Sequence, residues 1–244
     1  MAERQTRRTG RLALLLGLIG GHLALTGATA ITVNAADAIP DEGLPEVLVE
    51  AEAIVSERTE PLAAGVTGVS KVNDGFPQMD TEVLAIAEHD GIMYIGGKFT
   101  QVEIAATGER FDQPFLAAFE RETGEWISSF TPTIDGNVWD LKVTDDGQLI
   151  VAGQFRNVDG AANTAGVAMI DLATGQVNPN WSVNLVVTGT TRWALGRTLD
   201  IEGDLLYIGG NFTRITGTDG ITSSVGQAAR VQLSTGIVDR SFRP

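Results

Sequence analysis

Few residues of this chain belong to the types that do chemistry. Cysteine is absent, and histidine occurs twice, as His22 and His89. Composition therefore excludes a disulfide, a thiolate metal centre and a cysteine nucleophile. His89 stands in the stretch Glu88-His89-Asp90-Gly91, and an imidazole beside carboxylates is what a general base requires. Asp-Gly is also a tight-turn signal, and a solvated turn histidine accounts for the same four residues more simply. One histidine beyond residue 22 leaves nothing for a multi-histidine metal centre. Acidic turns at Asp145-Asp146, Asp159 and Asp219 offer oxygen atoms of the kind calcium takes. They lack the D-x-D-x-D-G spacing of a calcium loop and read as ordinary turn aspartates. Trp126, Trp139, Trp181 and Trp193 are flat surfaces on which a sugar ring could stack, or else core residues. Trp139 and Trp193 open the first strand of their repeats, so these two are the candidate ligand-facing aromatics. Asn180-Trp181-Ser182 and Asn211-Phe212-Thr213 match the glycosylation sequon, but Asn211 lies inside a structural repeat. No catalytic residue, metal site or cofactor is expected from the sequence.

The elements that would position these residues repeat. "YIGGKFTQV" spans 94–102, "IVAGQFRNV" 150–158 and "YIGGNFTRI" 207–215. The second glycines, Gly97, Gly153 and Gly210, lie 56 and 57 residues apart, and Phe99, Phe155 and Phe212 keep the same spacing. Upstream of each phrase lies a strand-like run ending in an acidic turn with glycine: "VLAIAEHDG", "VWDLKVTDDG" and "ALGRTLDIEG". Downstream lies an apolar run, then Thr-Gly at 123–124, 174–175 and 235–236, then an aromatic: Phe130, Trp181 or Phe242. No helical period of useful length follows residue 66. Four short strands joined by tight turns, repeated, predict an all-β, propeller-like fold of about three four-stranded blades in an incomplete ring. The blades are expected at 83–137, 138–192 and 193–244. Glycine inside a strand weakens it unless another backbone must come close. Gly97, Gly153 and Gly210 are therefore expected at such approaches, with Phe99, Phe155 and Phe212 packing between sheets and Gly96 and Gly209 completing the repeat motif. The segments after each Phe differ in length and suggest one variable face.

The remainder of the chain concerns export and closure. Arg4, Arg7, Arg8 and Arg11 precede the apolar run 12–30, which is the order of a signal peptide. Residues 1–35 are expected to be removed, with cleavage after Ala35 preferred to cleavage after Ala30. Arg7-Arg8 is a weak hint of twin-arginine export. No stable membrane insertion is expected after cleavage. Residues 36–65 are acidic, with three prolines and no aromatic residue, and read as a linker. Residues 66–82 read as a lone closing strand, with Thr67-Gly68 matching Thr123-Gly124 and Phe76 matching Phe130. The net charge of −14 opposes binding to nucleic acid or to an anionic membrane surface.

The pattern apolar-x-Gly-Gly/Ala-x-Phe, then an apolar strand, Thr-Gly and Phe-x-Pro resembles the delta-60 repeat, a secreted bacterial β-propeller-type repeat of undefined function. The resemblance covers roughly residues 66–244. "LIVAGQFRNVDG" and "STGIVDRSFRP" carry it best, while Trp181 departs from it by replacing Phe and by lacking the following proline. The resemblance implies an architecture and carries no catalytic residues to this chain. Three function classes follow. The first is an exported, non-catalytic binding or scaffold module, extracellular or at the cell surface, offering its loops to a glycan, polymer or protein. The second is the N-terminal fragment of a propeller enzyme of the dehydrogenase, lyase or glycosidase class, with its catalytic residues elsewhere. The third is a purely structural repeat protein. Remaining blades are expected from a longer chain or from self-association.

Overall fold

The computed structural model describes residues 62–68 and 81–244. The expected signal peptide (1–35), most of the linker (36–65) and residues 69–80 with Phe76 lie outside the described residues. Those described form strands and turns with no helix. The strands assemble into several small antiparallel sheets.

Three of these sheets are successive meanders. The first contains β2 (Val83–His89), β3 (Ile92–Gly97) and β6 (Leu116–Glu120) in the order β2-β3-β6. The second contains β7 (Asn137–Val143), β8 (Gln148–Gln154), β9 (Val167–Asp171) and β10 (Gln176–Val177) in the order β10-β9-β8-β7. The third contains β12 (Leu195–Glu202), β13 (Leu205–Asn211) and β16 (Ala228–Gln232) in the order β12-β13-β16. Four strands were expected in every unit, but only the second has them. In the first and third the fourth strand shrinks to one bridge, Phe119 to Trp126 and Val231 to Val238. Local turn chemistry sets the connections. Asp90 and Gly91 both adopt positive φ, which a two-residue hairpin loop demands. The Thr-Gly turns place Gly124, Gly175 and Gly236 at φ near +70°, where a Cβ would be strained.

In the first and third units the segments after the phenylalanines are not loops. In the first unit β4 (Gln101–Ile104) and β5 (Arg110–Asp112) pair with β1 (Ala64–Thr67) in the order β1-β4-β5. In the third, β14 (Arg214–Thr216) and β15 (Thr222–Ser224) pair with β11 (Asn184–Val186) in the order β11-β14-β15. The second unit keeps only the bridges Ile134 to Val158 and Val158 to Ala161. Each unit is thus stitched to the segment that precedes it. The expectation of a lone strand over 66–82 is corrected at its start: β1 begins at Ala64 and pairs with β4 from Ala64–Ile104 to Thr67–Gln101. It holds the place before the first unit that β11 holds before the third. Two residues of alternating pattern on either side of Val102 were too short a signal to separate a strand from a loop.

The core runs between neighbouring meanders. One cluster joins Tyr94, Leu116 and Ala118 of the first unit to Val138, Leu141 and Val151 of the second. A second joins Ile150, Ala152 and Met169 to Leu199, Leu206 and Ile208 of the third. A third cluster, around Phe99 and Val102, lies under the first small sheet. Alternation along each middle strand sends successive side chains to opposite neighbours, so the period-2 pattern of a strand becomes contact between units.

Candidate functional site

The site is best built from the glycine pair. In every unit the first strand carries a register shift opposite it: between Val83 and Ala85, Val138 and Asp140, and Gly196 and Thr198. The extra residues are Leu84, Trp139 and Arg197. A bulge bends the strand and turns its backbone inward. The carbonyl groups of Glu82, Asn137 and Leu195 then lie where a Cβ on Gly97, Gly153 or Gly210 would sit. These three glycines therefore admit another backbone, as their placement in the strand suggested. The preceding position is less strict. Gly96 faces the Val138 side chain and Gly209 faces Thr198 Cγ2, while the second unit carries a buried Ala152 there. Phe99, Phe155 and Phe212 are each completely buried, a contribution of roughly 1.5–3 kcal/mol apiece.

The bulge places Trp139 at the rim where the first strands of successive units begin. Lys98 Nζ lies 5.2 Å and Arg197 Cζ 4.9 Å from the centre of its ring. Lys98 follows the glycine pair of the first unit, and Arg197 is the bulge residue of the third. Three units thus meet at one indole. Lys98 is nearly buried and pairs with Glu82 at 3.0 Å. Trp193, two residues ahead of β12, has Arg156 Cζ 4.6 Å from its ring centre. Both tryptophans are half-buried, and Arg156 and Arg197 are exposed. A cation over an indole face contributes about 0.5–1 kcal/mol at exposed sites and more when desolvated. Trp139 and Trp193 are therefore not bare platforms for sugar rings, since each already stacks with a cation. What the rim presents is two exposed arginines, Arg156 and Arg197, each within 5 Å of an indole ring centre.

The same rim carries polar residues at the position after the glycines: Lys98, Gln154 and Asn211. Lys98 and Gln154 are buried, whereas Asn211 is exposed. Asp140 ties two units together, because its Oδ2 accepts from the Leu199 N–H at 2.6 Å. Sequence reasoning found the tryptophans but not their cations, which come from other units. Only Lys98 sits between Gly and Phe of a phrase, whereas Arg156 follows the Phe and Arg197 lies on β12, so no single signal marked the three.

The other candidates lie apart from this rim. His89 is half-buried, 3.6 Å from Asp90 Oδ2, at the turn joining β2 and β3. Asp219 accepts from Arg240 at 2.6 Å, and that hydrogen bond holds its carboxyl below the usual range. Asp159 Oδ1 accepts from the Thr133 N–H at 2.7 Å. Among the described residues no group of three or more His, Cys, Asp or Glu side chains gathers as a metal centre would need. Asp239, at the C-terminal end of the third unit, accepts from Ser241 and from Arg230, and these hydrogen bonds lower its carboxyl to about 2.

No protein-family model matches the chain, and no curated protein matches it. Among solved structures, the computationally designed Ika8 protein is similar at 16% identity and a TM-score of 0.32, over 67% of this chain and 50% of that one. The chain therefore spans half the length of that protein. The computationally designed Ika4 protein is similar at 13% identity and a TM-score of 0.26, over 62% of this chain and 96% of that one. BamB from Moraxella catarrhalis is similar at 12% identity and a TM-score of 0.20, over 74% of this chain and 77% of that one. Likeness at this level assigns neither family nor activity.

Proposed function

We propose that the chain is an exported, non-catalytic binding module of β-propeller type, extracellular or at the cell surface, whose inner rim takes an acidic glycan or similar polymer. The resemblance to the delta-60 repeat supports the propeller reading, as does the succession of meanders that share cores along their faces. The order of basic residues and apolar run at residues 4–30 supports export. One observation carries the ligand class: the exposed Arg156 and Arg197 lie over Trp193 and Trp139 within a chain of net charge −14. A guanidinium packed beside an aromatic ring loses less freedom when its fork of donors meets a carboxylate. The acidic remainder repels a polyanion in general, so attraction is confined to the rim.

The test is binding of the chain to a panel of immobilised polysaccharides, some uronate-bearing and some neutral. The expected result is retention on the uronate-bearing members, weakened by salt and lowered about tenfold or more in Arg156→Glu and Arg197→Glu. Equal retention on neutral polymers, or retention indifferent to both substitutions, would overturn the ligand class. Retention on none would favour a purely structural repeat.

A further inference from the structure

Where the residue after the glycine pair meets the first strand, the repeat needs a backbone contact and not a charge. Asn137 stands opposite Gln154 in the second unit, and Leu195 opposite Asn211 in the third. Glu82 and Lys98 hold these places in the first unit, where the Lys98 N–H donates to Glu82 O at 2.8 Å. The carbonyls of Glu82, Asn137 and Leu195 serve the three units alike, over Gly97, Gly153 and Gly210. The side chains differ. Two amides face one another in the second unit, and an amide faces a leucine in the third, so the fold closes here without an ion pair. The first unit sets an ammonium against a carboxylate instead, with Lys98 Nζ 3.0 Å from Glu82 Oε2.

The two members of that pair are held unequally. The Lys98 side chain is 11% exposed and that of Glu82 is 31% exposed. Lys98 Nζ lies 5.2 Å from the ring centre of Trp139, and Arg197 Cζ lies 4.9 Å from the same centre. An ammonium beside an indole keeps that contact whichever carboxylate it meets. A nearly buried lysine also needs some anion, because an unpaired charge there is costly. Glu82, the more exposed member, is the one that solvent reaches and that an outside carboxylate can replace. An ion pair open to water on one side is weak enough to be exchanged.

We infer that Lys98 is a masked anion subsite of the rim, and that Glu82 is the chain's own carboxylate in the place that a uronate carboxylate takes on binding. The inference rests on the acidic-glycan reading above and deepens it. The exchange is one carboxylate for another. Glu82 turns to solvent, the ligand's carboxylate accepts from Lys98 Nζ, and the ammonium stays beside Trp139. Glu82 therefore lowers affinity for the ligand by competing with it. It also sharpens selectivity, since a neutral polymer has nothing to offer Lys98 and meets a rim that keeps its own carboxylate.

Equilibrium binding of the full chain to polygalacturonate, with dextran as the neutral control, tests this. Glu82→Gln is expected to bind polygalacturonate roughly twofold to fivefold more tightly, the range that a partly exposed ion pair commands. Glu82→Asp, which keeps the charge and shortens the reach, is expected to gain less. Lys98→Gln combined with Glu82→Gln sets two amides opposite one another, as in the second unit, and should show no gain. A gain in that double variant equal to the gain of Glu82→Gln would mean that the lost negative charge acts at a distance, and would overturn the subsite. No gain in Glu82→Gln, while Arg197→Glu still weakens binding, would overturn the subsite and leave the ligand class standing. No binding of polygalacturonate by the unaltered chain or by any variant would overturn both. Thermal unfolding gives a second readout, in which polygalacturonate should raise the midpoint of Glu82→Gln more than that of the unaltered chain. An equal rise in the two would overturn the exchange. Circular dichroism of the variants separates changed binding from lost folding.

Discussion

A single hydrogen-to-methyl change distinguishes two kinds of glycine here. At Gly97, Gly153 and Gly210 the obstacle to a Cβ is a backbone carbonyl, which cannot move without undoing the bulge. At Gly209 the obstacle is the methyl of an exposed Thr198, which can rotate. Gly97→Ala is therefore expected to lower stability by roughly 1–3 kcal/mol, the scale of overpacking a core. Gly209→Ala is expected to stay within about 0.5 kcal/mol, since the methyl shift is offset by reduced freedom of the unfolded chain. Urea denaturation midpoints of the two variants measure the contrast, and equal losses would refute the carbonyl argument. The glycine pair and its phenylalanine were legible from spacing alone. The bulge was not, because it is a property of two strands in register and leaves no mark in either one.

At the scale of elements, each unit holds its neighbour by a few defined contacts rather than by one continuous sheet. Trp181 shows this. It is 3% exposed and sends its indole N–H across to Leu233 O in the next unit. Phenylalanine fills the same position in the other two units, so the departure from the repeat is a matter of one added donor. Trp181→Phe is expected to lose about 1 kcal/mol, the net value of one hydrogen bond, with packing largely kept. Thermal unfolding followed by near-ultraviolet dichroism checks it, and a loss as large as that of Trp181→Ala would mean that packing and not the donor matters. The small sheets beside the units were missed at this scale. Their strands are three or four residues long, and β1 pairs with residues of β4 that lie 34 to 40 positions further on, so no local signal announces them.

For the molecule as a whole, equivalent positions differ in energy because their neighbours differ. In a repeat array stability is a sum of units and of interfaces between them. Val83 and Val138 occupy the same register beside their glycine pairs, yet one is 44% and the other 0% exposed. Val138→Ala is expected to lower stability by about 1–2 kcal/mol, whereas Val83→Ala should change it by less than about 0.5 kcal/mol. Denaturation midpoints of the two variants read both values. A large loss for Val83→Ala would mean that this face is covered.

The sequence by itself marked the repeated phrase and its period, the tight turns, and the burial of Phe99, Phe155 and Phe212. Each of these follows from local rules: strand alternation, turn residues with positive φ, and apolar spacing. It also singled out Trp139 and Trp193 as candidate ligand-facing aromatics, from their place at the head of their repeats. Only the tertiary structure decided what those indoles meet. Lys98, Arg156 and Arg197 reach them from other units, across sequence separations that no periodicity encodes. The same holds for equivalent positions of successive units. Val83 and Ile86 read in sequence just as Val138 and Leu141 do, and only a packed neighbouring unit separates the buried pair from the exposed one.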